Sequence, residues 1–349
     1  MDHRPQQHLS QQLHSFGFGI AAYSLSTMLF KSLILASTAS ATCLHGLSMF
    51  KRAAGAENGT VEVNTFGYGP ENGPFNWASL APENEACKAG LNQSPINIGT
   101  DLPAGNLTKR NVIIHKRACV NESSSDATIG AAADRPVVDI PDQAVEFENL
   151  GTTIEVVVNG TTSFNGTDFR LVQFHMHTPS EHHINDEYFP LEVHMVHQGV
   201  CKSTASHLQS SLTNGSAVDN TQLAVIAMMF QVSAGDSDPV IAGLSSSLDA
   251  IATPGTKTKI ENGLDFSGVL SKIESSDILQ YSGSLTTPPC AEGVTFLVVK
   301  DPLDIGVADF NAIKSIVKFN SRFIQNTLGQ DNMLRIGANS GVAAANATA

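Results

Sequence analysis

Gln173-Phe174-His175-Met176-His177-Thr178-Pro179-Ser180-Glu181-His182 is the stretch on which the reading of this chain turns. The run from Arg170 to His175 is aromatic and β-branched with no helical spacing, and it reads as a strand. Side chains alternate faces along a strand, so His175 and His177 share one face and Gln173 lies with them. Two imidazoles placed this way can hold one metal ion. Taken alone, a His-x-His pair more often marks two hydrogen-bonded or half-exposed side chains, so a second element has to decide.

Glu192-Val193-His194-Met195-Val196-His197 supplies it. A turn-length segment with Asn185-Asp186-Glu187 and Pro190 separates the two runs and allows antiparallel return. His194 then points with Glu192 and Val196, and His197 points away. Three neutral ring nitrogens suit zinc, and three protein ligands with an open fourth position mark a catalytic rather than a structural site. Gln173 and Glu192 stand where a ligand needs a partner for its other ring nitrogen. A purely apolar core strand has no use for them.

Outward from this pair, Ile154–Val158, Leu223–Phe230, Val294–Val299 and Val112–Ile114 are further short apolar runs bounded by Gly, Pro, Asn and Ser. Helical spacing is sparse, with Asp309 to Phe319 and Val240 to Ile251 the better candidates. Asn121 to Asp134 and Ser203 to Asn220 read as polar surface loops. No repeat, Pro-rich linker or midpoint shift in composition appears, so residues 60–337 form one mainly β domain, followed by a flexible tail at 338–349.

Composition narrows the function. Among 349 residues, 20 Lys and Arg face 33 Asp and Glu, a net charge of −13 that argues against nucleic acid. A 42% apolar share with only 15% charged residues excludes a disordered chain. Residues 1–52 read as a signal and pro-segment: Lys31 precedes an apolar stretch from Ser32 to Ala41 that is too short to span a bilayer. Met28 makes the better start, so residues 1–27 read as an over-extended gene model, and Lys51-Arg52 marks a second processing point. Leaving aside Asn92-Gln93-Ser94, which Pro95 follows, seven N-x-S/T triplets, at Asn58, Asn106, Asn121, Asn159, Asn165, Asn214 and Asn346, agree with a secreted, extracellular or cell-wall location. Outside the leader and its Cys43, the cysteines are Cys87, Cys119, Cys201 and Cys290, which permit three pairings in an oxidising compartment or remain free thiols.

The histidine motifs, together with Gly283-Ser284-Leu285-Thr286-Thr287-Pro288-Pro289-Cys290-Ala291-Glu292, closely resemble those of α-class carbonic anhydrases. Phe66-Gly67-Tyr68-Gly69, Gly73-Pro74, Trp77 and Gln93-Ser94-Pro95-Ile96-Asn97-Ile98 resemble that family's N-terminal segment, so the matches run in order from residue 62 to 336. The resemblance implies a mainly β single domain: one twisted, mostly antiparallel mixed sheet of about ten strands with short peripheral helices. It implies Zn2+ held by His175, His177 and His194, supported by Gln173, by the carbonyl of Asn320 and by Glu192, with Tyr68 nearby. Thr286, hydrogen-bonded to Glu181, would be the hydroxyl that can only accept from zinc-bound hydroxide and so aims it at substrate. Val196, Val225, Leu285, Val294 and Phe296 would form an apolar wall for carbon dioxide, with Thr287 at its rim. The implied activity is reversible, zinc-dependent hydration of carbon dioxide to bicarbonate and a proton. His182, His197 and Glu292 match structural positions. The resemblance also implies a bridge Cys87–Cys290, and with it a second, Cys119–Cys201.

Three positions depart from the family pattern. Thr152 stands where many members carry a proton-shuttling histidine and cannot titrate near neutrality; Phe66 replaces a common Trp, and Phe323 a common Pro. Two rival readings stand beside the enzyme. A cupin-type metalloprotein would use His175, His177 and Glu181 as ligands, and a catalytically silent relative would keep the fold as a binding module.

Overall fold

The structure is a computed structural model that describes residues 60–99, 129–132, 134–199 and 222–347. The leader, Asn58, Asn106, Asn121, Asn214, Cys43, Cys119, Cys201, the expected strand Val112–Ile114 and the expected loop Ser203 to Asn220 lie outside the described residues.

In chain order the strands are β1 (Asn97–Ile98), β2 (Gly130–Ala131), β3 (Val137–Asp139), β4 (Val145–Asn149), β5 (Ile154–Phe164), β6 (Thr167–His177), β7 (His183–Ile184), β8 (Leu191–Gly199), β9 (Leu223–Ser233), β10 (Lys257–Ile260), β11 (Ile278–Ser284) and β12 (Glu292–Gly306). Ten of them make one sheet in the order β10-β4-β5-β6-β8-β9-β12-β11-β2, with β3 added on β5; β1 and β7 form a separate parallel pair. Every pairing in the large sheet is antiparallel except β9 with β12. The expected sheet of about ten strands is therefore present, and the stretch Asn121 to Asp134, expected as a loop, lends it the short edge strand β2.

Both faces of the central strands are covered, which is why β6, β8 and β9 carry near-continuous apolar runs. On one face Phe174, Met176, Val193, Met195, Ile226, Met228, Leu297 and Val299 pack under the helices Pro239–Ser245, Ser267–Ser275 and Val307–Val317. On the other, Val196, Val225, Ala227, Phe296 and Val298 form a second cluster. The histidines belong to this second face. A register shift between Leu171 and Gln173 resets the alternation, so Leu171 joins the helix-side core while Gln173 shares the face of His175 and bonds to it.

Helix boundaries differ from expectation for local reasons. The segment expected as one helix from Val240 to Ile251 is Pro239–Ser245 followed by a 3-10 turn, Leu248–Ile251. Between them, Ser245 and Ser246 turn their hydroxyls back onto Ile241 and Gly243 carbonyls, the competition that makes serine a poor helix interior. The helix expected at Asp309 to Phe319 is Val307–Val317, closed by Lys318 in the left-handed region at φ 60°. The segment expected as a tail from residue 338 falls largely within a helix, Met333–Ala347. Alanine at 338, 343, 344, 345 and 347 explains it, since it is the strongest helix former.

The N-terminal segment closes one side. Trp77 is fully buried, with Phe66 and Tyr68 edge-on to it at 5.6 Å each, so Phe66 fills the place of the commoner Trp. Phe323 stacks on Phe75 at 5.0 Å. Cys87 and Cys290 are bridged, their Cα atoms 5.0 Å apart, which ties this segment to the loop that carries Thr286.

Candidate metal centre

Antiparallel register sets His175 of β6 directly opposite His194 of β8, and His177 one step along the same face opposite Glu192. Ring centroids lie 5.1 Å apart for His175 and His177, 5.4 Å for His175 and His194, and 4.6 Å for His177 and His194. One nitrogen from each ring falls within 4.8 Å of the others. All three residues are buried.

The outer nitrogens are spoken for. His175 Nδ1 is 2.9 Å from Gln173 Oε1, His177 Nδ1 is 3.0 Å from the Asn320 carbonyl, and His194 Nε2 is 2.7 Å from Glu192 Oε1. Each of these acceptors fixes a tautomer and leaves the opposite nitrogen bare: Nε2 of His175, Nε2 of His177 and Nδ1 of His194. His177 Nε2 is buried with no hydrogen-bond partner. An orphaned buried nitrogen costs on the order of 1–3 kcal/mol, which a cation among the three lone pairs would remove. Burial also pushes the pKa of all three rings down, with neighbouring histidines lowering them further, so the neutral form is favoured. The donor set fits zinc in number, chemistry and protonation.

Glu192 underlies the centre. Its Oε1 also meets His182 Nδ1 at 2.6 Å, and its Oε2 accepts the backbone N–H groups of Glu181 and His182 at 2.7 and 2.8 Å. Burial raises its pKa, yet the charges and hydrogen bonds of His182 and His194 outweigh this and hold it well below the usual carboxylate range. His182 spends its other nitrogen on the Tyr281 hydroxyl at 2.6 Å, and Tyr281 meets Ser94 Oγ at 2.7 Å. Both nitrogens of His182 are thus engaged in hydrogen bonds. Gly283 allows this approach, because a Cβ there would lie 2.1 Å from Ser94 Oγ.

Glu181 Oε2 lies 3.4 Å from His177 Nε2, while Oε1 accepts the Arg322 N–H at 2.9 Å. Burial lifts its pKa to about 7, against the pull of His194, a Thr286 hydroxyl hydrogen bond and the Arg322 N–H. Thr286 is buried and Thr287 half-buried. Tyr68 is half-buried, and burial, with the Glu181 charge, raises its pKa well above the usual phenol value. Val196, Val225, Val294 and Phe296 share one cluster with Leu285 packed against it, and the Phe296 ring is 5.8 Å from that of His194. Thr152, half-buried, accepts a hydrogen bond from Asn64 at 2.6 Å.

Sequence reading did not single out Tyr281, Ser94 or the side chain of Arg322. Arg322 is buried, donates to the Ser94 and Cys87 carbonyls at 2.7 and 3.1 Å, and sits 5.7 Å from the Trp77 ring centre. A lone arginine beside Asn320 and Ser321 carries no pattern of its own.

A single large sheet with three clustered imidazoles and one carboxylate beneath them defines the class: a β-sheet protein with a buried group of three histidines that could hold a metal ion. Comparison supplies the family, since the model of eukaryotic-type carbonic anhydrases matches residues 72–335, and the chain belongs to that family. The structure of the fungal alpha carbonic anhydrase from Aspergillus oryzae is similar with 36% identity and a TM-score of 0.62, over 79% of this chain and 99% of that one. Alpha carbonic anhydrase 7 of Arabidopsis thaliana is 31% identical over 71% of this chain and 75% of its own length. A carbonic anhydrase of Neisseria gonorrhoeae is 30% identical over 74% and 84%. The family reaction is carbon dioxide hydration, so membership assigns the chain that general activity on a small-molecule substrate. Among the described residues no helix is long and apolar enough to cross a membrane.

Proposed function

We propose that the chain catalyses reversible hydration of carbon dioxide with zinc held by His175 Nε2, His177 Nε2 and His194 Nδ1. The observation that carries this reading is the set of three neutral, converging nitrogens, each with its opposite nitrogen tied. Zinc, when bound, lowers the pKa of a coordinated water toward neutrality and so makes a nucleophile available, the established property of carbonic anhydrase centres.

The chain's own residues do the rest. Gln173, the Asn320 carbonyl and Glu192 hold the rings in the ligating tautomer. The Thr286 hydroxyl has one proton; given to the Glu181 carboxylate, it leaves only lone pairs facing the attacking oxygen and thereby orients it. Val196, Val225, Leu285, Val294 and Phe296 offer carbon dioxide an apolar wall with little affinity for the charged product, and Thr287 stands at the rim. Thr152 can relay no proton at its own side chain, so the product proton leaves to buffer.

Residues 60–337 are the catalytic domain in this reading, preceded by the leader and processed for secretion; the Cys87–Cys290 bridge suits an oxidising compartment. The cupin reading, which needs Glu181 as a ligand, is disfavoured by the carbonic anhydrase family match over residues 72–335. The deciding experiment measures zinc content and stopped-flow carbon dioxide hydration together. Wild type carries one zinc per chain and is active; His194→Ala loses both; Thr286→Ala keeps zinc and loses roughly 100-fold in kcat/KM. Zinc-loaded wild type without hydration activity would establish the silent binding module instead.

A further inference from the structure

The strand that carries His175 and His177 outruns its neighbour. β5 begins at Ile154, one residue short of the position opposite His177 in the β5–β6 register. Backbone groups at the end of β6 therefore need partners from elsewhere. Asn320 provides them, sharing the Met176 carbonyl with the Thr153 hydroxyl, which donates to it at 2.6 Å. Its Oδ1 accepts the Thr178 N–H at 2.7 Å, and its Nδ2 donates to the Met176 carbonyl at 2.8 Å and the Thr152 carbonyl at 3.0 Å. A carboxamide has the donor and acceptor of a peptide group, so one side chain stands in for the missing strand on both sides of His177.

The backbone of the same residue handles the ring. Its carbonyl lies 3.0 Å from His177 Nδ1, and its N–H reaches the Thr178 carbonyl at 3.2 Å. Lys318, two residues earlier, takes the left-handed turn that delivers the residue, with the Thr178 hydroxyl on its carbonyl. Asn320 is 1% exposed.

We propose that the Asn320 side chain is a positioning residue for His177: by gripping the peptide groups at 176 and 178 it sets the height and rotation at which the imidazole meets the metal. The inference rests on the three-histidine zinc reading. It adds a side-chain role distinct from the backbone carbonyl.

Asn320→Asp keeps the shape and the acceptor for Thr178 N–H but loses both donors; Asn320→Ala removes the grip. Asn332→Ala is the control, because Asn332 is as buried and also holds three backbone groups, at Cys87, Gly90 and Leu334, away from the histidines. The readouts are zinc dissociation by chelator competition and the visible spectrum of the cobalt-substituted protein. Both Asn320 variants should release zinc about 10- to 100-fold faster and shift the cobalt bands. Asn332→Ala should lower the melting temperature and change neither. Should Asn320→Ala fail to fold, Asn320→Asp alone decides. Zinc retention and cobalt bands equal to wild type in the Asn320 variants would overturn the positioning role and leave the zinc reading intact; a wild type that takes up no zinc would overturn both.

Discussion

Glu192 Oε1 lies 2.7 Å from His194 Nε2 and 2.6 Å from His182 Nδ1, so a single carboxylate oxygen receives two imidazole N–H groups. Its other oxygen receives two backbone N–H groups. All four neighbours are donors, which only an ionised carboxylate can satisfy. Glu192→Gln must turn an NH2 toward one pair or the other. It is expected to weaken zinc binding about 10- to 100-fold, read by competition with a chelator of known affinity. An affinity equal to wild type would mean that His194 is oriented by something other than this oxygen.

Thr152 bears on the last step of turnover. Its hydroxyl is bound to Asn64 at 2.6 Å and cannot accept a proton near neutrality. Wild-type turnover in dilute, bulky buffer is therefore expected to be limited by proton export and to climb with imidazole concentration. Because the site is half-buried rather than closed, Thr152→His can be accommodated, and it should raise turnover in dilute buffer by about tenfold or more while flattening the imidazole response. Stopped-flow rates that stay level for wild type across an imidazole series would refute the export limit.

Much of this was legible in the chain itself because period two is a strong signal. His175, His177 and His194, with Gln173 and Glu192, lie on strands whose alternation fixes their side, and the structure places them together as that alternation requires. The 154–158, 223–230 and 294–299 runs became strands for the same reason. What stayed hidden depends on long-range closure. Tyr281 and Ser94 are 187 residues apart, and Arg322 reaches across 235 residues to the Cys87 carbonyl. No local pattern encodes such pairs. Helix ends were misplaced by two or more residues at serine runs and at Lys318, where side-chain competition and a left-handed turn decide rather than apolar spacing. The alanine-rich end read as a tail because it has no apolar stripe, although its residues favour helix.

His197 gives the fold a pH dependence separate from the metal. It points to the other face from His194, is 1% exposed, and holds its Nδ1 2.9 Å from the Met195 carbonyl. Burial pushes its pKa down from 6.5 to about 4, against backbone hydrogen bonds that favour the charged ring. In the unfolded chain the same ring takes up its proton near 6.5. Between these values the unfolded state binds more protons than the folded one, so stability falls as pH drops from 6.5 toward 4 and is flat above 6.5. At about 1.4 kcal/mol per unit, the loss from this ring reaches roughly 3 kcal/mol near pH 4. His175, His177 and His194, also held neutral by burial, add to the same slope in zinc-free protein. His197→Gln keeps a donor for the Met195 carbonyl and removes the titration. In urea unfolding of the zinc-free proteins, the variant should lose less stability than wild type between pH 7 and pH 4.5 and show no difference in slope above pH 7. Parallel curves through the acid range would mean that His197 is protonated in the folded state, and that the pocket around it tolerates the charge.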